Sequence, residues 1–195
     1  MSVLALDRRG WLKPLPGVQL LPSPNHDRRP AGISPYLLVI HNISLPPGEF
    51  GGEAVKDLFL NRLDLNAHPW YENVRGLKVS AHFLVQRCGS VTQFVSTLDR
   101  AWHAGVSRYR DHERCNDFSI GIELEGTDTL PYADEQYHAL KQLTLCLRNH
   151  HPLRAVQGHE HIAPGRKTDP GPAFKWRRYG REAGWLLRQL PPLHP

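Results

Sequence analysis

Two histidines, a glutamate, a lysine and an aspartate fall within the short stretch GHEHIAPGRKTDPG (158–171). Imidazoles and carboxylates are the ligand types of zinc, and a lysine beside them can stabilise a developing anion. Neither a helical nor a strand period runs through the stretch, so covering a core face is not its task. Its prolines and glycines suit a stiffened loop. A further histidine, His41, ends the apolar run YLLVIHN (36–42) and precedes the loop ISLPPGEFGG. His159 follows AVQG in the same way. Strand ends that run out into Gly/Pro loops are where α/β sheets collect ligand sites. Two imidazoles and a third ligand would leave one position open at a tetrahedral metal. Asp169, flanked by Pro164 and Pro170, is a natural third donor. His161 has an equal claim if the strand continues, because positions i and i+2 then share a face.

Hydrolysis at such a metal also needs a base for the attacking water and a cation for the oxyanion. The segment NDFSIGIELEG (116–126) alternates Phe118, Ile120, Ile122 and Leu124 with Ser119, Gly121, Glu123 and Glu125. The two carboxylates therefore share a face of a strand whose other face is apolar, which favours a cleft over open solvent. Lys167, two residues before Asp169, can reach the same place, although by composition alone it reads as a surface lysine. His82 beside Phe83 reads as a core or cleft histidine, and His103 in AWHAG as a cleft residue. His26, His112, His138, His150, His151 and His194 sit in polar or helical surroundings and are assigned nothing.

The elements that must hold these groups are legible in outline. EAVKDLFLNRLDL (53–65) has helical spacing, and SAHFLVQR (80–87) with VTQFV (91–95) flanks a short turn at Cys88-Gly89-Ser90, a hairpin signal. DRAWHAG (99–105) reads as loop. DEQYHALKQLTLCLRNHHP (134–152) is the clearest helix, with Asp134 and Glu135 in its first turn and Pro152 beyond its end. WRRYGREAGWLLRQL (176–190) is helical in spacing, and residues 1–34 form a proline-punctuated arm. The pattern predicts an α/β fold, one domain over 1–195, with a mixed central β-sheet flanked by α-helices.

Length and composition agree with that size. At 195 residues, 40% hydrophobic and 22% charged, the chain has globular composition and enough length for one core. No apolar run approaches the roughly 20 residues of a membrane helix, and the N-terminus lacks a signal-peptide core, so cytoplasm is the expected location. Three cysteines, Cys88, Cys115 and Cys146, without C-x-x-C spacing predict free, buried or partly buried thiols. The formal charge of +5 suggests an anionic partner. Nucleic acid is not expected, because the basic residues form no recognisable binding motif, and the cluster Lys175, Arg177, Arg178 and Arg181 reads as a solvated helix face.

VIHNISLPPGEFGG, VSAHF, RAWHAG, CNDFSIGIELEGTDT and GHEHIAPGRKTDPG together, in this order from about Pro22 to Tyr179, closely resemble the AmpD family. Its members are cytoplasmic 1,6-anhydro-N-acetylmuramoyl-L-alanine amidases related to peptidoglycan-recognition and phage zinc amidases. The resemblance implies one Zn2+ per chain held by His41, His159 and Asp169, a catalytic Glu123 and a catalytic Lys167. It implies that Asn42 and Arg114 help to hold the saccharide or the peptide of an anhydro-muropeptide substrate, and that Glu125 is structural. Gly165, Glu160 and His161 depart from the family pattern at positions that are neither ligands nor catalytic. The rival expectation is a non-catalytic muropeptide-binding module, which would have lost metal ligands; here all three persist beside the acid and the lysine.

Overall fold

The computed structural model describes residues 4–192, so His194 and the first three residues of the arm lie outside it. In chain order the strands are β1 (Val18–Leu20), β2 (His26–Arg28), β3 (Leu37–Ile43), β4 (Phe83–Val85), β5 (Val91–Gln93), β6 (Asp99–Ala101), β7 (Arg108–Tyr109), β8 (His112–Glu113), β9 (Ser119–Glu125) and β10 (Ala155–Gly158). The helices are α1 (Ala54–Phe59), α2 (Asp134–His150), α3 (His159–Ile162) and α4 (Trp176–Ala183). Six strands form the central sheet in the order β1-β5-β4-β9-β3-β10. It is mixed, as expected: β4 and β5 are antiparallel, and the other four pairings are parallel.

Strand alternation divides the sheet into two unlike faces. Leu38 and Ile40 of β3, with Ile120, Ile122 and Leu124 of β9, pack under Leu140, Leu143 and Leu147 of α2 in one core cluster. Burying a large apolar side chain is worth about 1.5–3 kcal/mol, so Leu140→Ala, at a fully covered position, would cost about 2–5 kcal/mol. The opposite face carries Leu37 and Val39, then His41, beside Ser119, Gly121 and Glu123 of β9. Both long strands are covered on both sides, which is why the first reads as a continuous apolar run.

Several expectations change in detail. The helical spacing of 53–65 yields only α1, because the chain turns at Asn61, which adopts φ 56° and lets Arg62 N–H reach back to Asp57 O. The C-terminal helix stops at Ala183, where Gly184 is left-handed, and a separate 3-10 turn follows at Leu187–Gln189. The arm contributes β1 to the sheet edge and β2 to a pairing with β6, so part of the expected loop DRAWHAG is strand. His151 is buried against Thr97 Oγ1, and Cys88 is exposed while Cys115 and Cys146 are buried; all three thiols are free. No helix among the described residues is long and apolar enough to cross a membrane.

Candidate active site

The register of two parallel strands creates the centre of the site. His41 on β3 lies directly opposite Glu123 on β9, so both side chains leave the same sheet face, away from α2. β10 flanks β3 and ends at Gly158, and the chain turns at once into α3, which begins with His159. Asp169 returns to the same point on the following loop, and its carbonyl accepts Glu160 N–H at 2.8 Å. His41 Nδ1, His159 Nδ1 and Asp169 Oδ2 then form a triangle with sides of 3.0, 3.0 and 3.1 Å. Among the described residues this is the group of histidine, cysteine and carboxylate side chains that can hold a metal ion.

Local grounds left His161 level with Asp169, and the geometry separates them. His159 and His161 are not on a strand: they lie in one helical turn, where positions i and i+2 diverge rather than align. His161 Nδ1 accepts Gly158 N–H at 3.1 Å, and its ring packs edge-on to Trp176.

Hydrogen-bond direction tests whether the triangle suits a cation. Both hydrogens of Arg166 Nη2 go to carbonyls, Ala104 O and Val106 O, each at 2.7 Å. His159 Nε2, 3.1 Å from Ala104 O, is therefore the donor of that bond, which leaves its Nδ1 a bare lone pair. On the other side the Ser119 hydroxyl donates to Cys115 O at 2.6 Å, so its oxygen accepts from His103 Nε2 at 3.1 Å. His103 Nδ1 in turn accepts from His41 Nε2 at 2.9 Å. His41 Nδ1 is thus a lone pair as well. Burial, then the neighbouring His159, push the His41 pKa down to about 4 and keep the ring neutral. With both rings in these neutral tautomers, two lone pairs and a carboxylate oxygen converge on one point. A tetrahedral zinc about 2.0–2.1 Å from each ligand needs ligand atoms about 3.3 Å apart, close to the observed triangle.

Glu123 is buried, and its Oε2 has no hydrogen-bond partner. Burial, then the nearby Asp169, raise its pKa well above the usual carboxylate range, while Lys167 opposes them. Such an atom is a proton acceptor aimed at something the chain does not itself provide. Lys167 is exposed, and among the described residues it makes no ion pair, yet it is near enough for its charge to act on both Glu123 and His41. Glu125 differs: its two oxygens accept Gly51 N–H at 2.6 Å and Arg87 N–H at 3.0 Å.

Two expected substrate contacts fall outside this cluster. Asn42 leaves β3 on the α2 side, and its amide donates to Asp128 Oδ1 at 2.8 Å and Pro170 O at 3.2 Å, clamping the segment that carries Asp169. Arg114 is exposed and left-handed at φ 60°, and lines a cleft of about 480 Å³ with Val106, Ile162, Pro164 and Arg166. The reading of single segments missed Ser119, Asn116 and Arg166. Ser119 meets the His103 ring, Asn116 the backbone N–H groups of His103 and Ala104, and Arg166 the carbonyls of Ala104 and Val106, and no local period marks such partners.

The model of a known family, described as N-acetylmuramoyl-L-alanine amidase, matches residues 32–172. The 1,6-anhydro-N-acetylmuramyl-L-alanine amidase AmpD of Escherichia coli is 54% identical over 88% of this chain and 93% of its own length. A crystal structure of an AmpD derivative superimposes with a TM-score of 0.86 at 52% identity, covering 91% of this chain and 98% of that one. The amidase AmiD of E. coli, solved with anhydro-N-acetylmuramic acid-L-Ala-D-gamma-Glu-L-Lys, shares 25% identity at a TM-score of 0.56, over 91% of this chain and 65% of its own.

Proposed function

The chain belongs to the N-acetylmuramoyl-L-alanine amidase family, and from that premise we propose that it cleaves 1,6-anhydro-N-acetylmuramoyl peptides between the lactyl carbonyl and L-alanine during cytoplasmic cell-wall recycling. The observation that carries this reading is the convergence of His41, His159 and Asp169 ligand atoms, with His41 directly opposite Glu123, whose Oε2 has no partner among the described residues.

His41, His159 and Asp169 would hold a zinc ion, which would supply the Lewis acidity that makes water nucleophilic near neutral pH. Glu123 accepts a proton from the attacking water at Oε2 and delivers it to the alanine nitrogen as the C–N bond breaks. Its raised proton affinity suits both transfers. Lys167, exposed at the edge of the site, stabilises the negative charge that builds on the carbonyl oxygen. Asn42 keeps Asp169 in place through Pro170 O, and Arg114 offers a cation to the carboxylates of the peptide. The net charge of +5 favours the approach of such an anion.

Incubation with an anhydro-muropeptide, with and without chelator, tests this by mass spectrometry. Free peptide is expected only when metal is present, and faster from the anhydro sugar than from its hydrated form. Binding without release of peptide, or release that survives removal of the metal, would overturn the reading.

A further inference from the structure

The zinc reading leaves open what keeps His41 in the tautomer that a metal needs. Asp169 Oδ2 lies 3.0 Å from His41 Nδ1 and, taken alone, would favour a proton on that nitrogen. A proton there would close the triangle as a histidine–aspartate hydrogen bond and displace the cation. The relay behind the ring works against this. Cys115 O accepts from Ser119, Ser119 from His103, and His103 Nδ1 from His41 Nε2, so one carbonyl oxygen fixes the direction of three successive bonds.

We propose that His103, oriented by Ser119, is a positioning residue that holds the His41 proton on Nε2 and so keeps the ligand nitrogen Nδ1 bare for zinc. The seat of the ring is built for it. Gly121 lies on β9 under His103, and a Cβ at that position would come within 2.5–2.7 Å of the imidazole atoms. Asn116 Oδ1 accepts the backbone N–H groups of His103 and Ala104 at 3.2 and 2.8 Å, fixing the segment from the other side. The same two residues therefore serve both imidazole ligands: His103 with its ring for His41, and Ala104 with its carbonyl for His159.

The inference rests on the zinc reading, and the measurements separate the two. Zinc affinity is measured by chelator competition on the full chain for wild type, Ser119→Ala, His103→Leu and His103→Asn. Imidazole nitrogen NMR of the metal-stripped chain reports which His41 nitrogen carries the proton. Partners behind a metal ligand typically contribute ~10- to 100-fold in affinity. Ser119→Ala, three bonds from the metal, is expected to lose ~10-fold, since His103 is then free to reverse its proton. His103→Leu is expected near ~100-fold, and His103→Asn, whose amide oxygen still accepts from His41, should recover much of that loss. Wild-type His41 is expected to show a bare Nδ1, and His103→Leu a protonated one. Wild-type affinity in both Ser119→Ala and His103→Leu, or a proton on Nδ1 in the wild type, overturns the relay. No zinc uptake by the wild type would instead sink the zinc reading itself.

Discussion

Glu123 and Glu125 stand two residues apart on β9, on the same face, both buried, and their surroundings could hardly differ more. At the Glu125 end, the carboxylate ties two loops to the sheet through Gly51 N–H and Arg87 N–H. At the Glu123 end, one oxygen has no partner among the described residues, and the neighbour across the strand is His41 of the candidate metal site rather than Ile43. A buried carboxylate whose lone pairs are occupied by backbone donors is a structural anchor, because protonating it would displace those bonds. One left bare beside a cationic centre is available to take and return a proton. Residue type and burial are alike in the two regions, so hydrogen-bond saturation makes the distinction.

The largest effect should come from removing the centre on which the Glu123 end depends. His41→Ala or Asp169→Ala is expected to lose zinc and turnover together, as read by metal analysis and peptide release, whereas His161→Ala should keep its zinc. A metal-free His161→Ala protein with a fully loaded Asp169→Ala would reverse the ligand assignment and with it the contrast between the two ends.

Smaller losses should separate chemistry from metal binding. Glu123→Gln is expected to keep its zinc and lose ~100- to 10,000-fold in turnover, the usual range for general acid–base groups. Lys167→Met should also keep zinc and lose ~100- to 1,000-fold, the range for one oxyanion donor. Because both act on one transition state, the double variant should lose less than the product of the two. Near-normal turnover in Glu123→Gln would mean that the unpartnered oxygen is not the base.

The sequence made the shared face of Glu123 and Glu125 legible through simple alternation, and alternation also placed the apolar residues of β9 beneath α2. It offered no way to rank the two carboxylates, because the partners that saturate Glu125, Gly51 and Arg87, lie 74 and 38 residues away. His161 stayed level with Asp169 for a related reason: whether β10 continues past Gly158 or turns into α3 decides the facing of residue 161, and no period runs through that segment. The resemblance to a known family ranked both pairs where the residues alone did not. His103 was placeable only as a cleft residue, since its part depends on a proton direction set by Cys115 O through Ser119.

The mildest substitution puts the contrast to its narrowest test. Glu125→Gln keeps shape and one acceptor oxygen, but its NH2 group must then face a backbone N–H, either that of Gly51 or that of Arg87. A buried donor left against a donor costs about 1–3 kcal/mol. For a chain of this length that corresponds to roughly 2–12 °C in Tm. Zinc content should be unchanged, and kcat should stay within about threefold of wild type, since this carboxylate takes no part in the proton transfers. Thermal unfolding and turnover measured side by side on Glu123→Gln and Glu125→Gln should therefore cross over: the first variant close to wild type in stability and poor in rate, the second the reverse. A Glu125→Gln protein with unchanged Tm and a rate as low as that of Glu123→Gln would show that the anchored carboxylate reaches the reaction after all, and that saturation by backbone donors does not decide which of two neighbouring acids is catalytic.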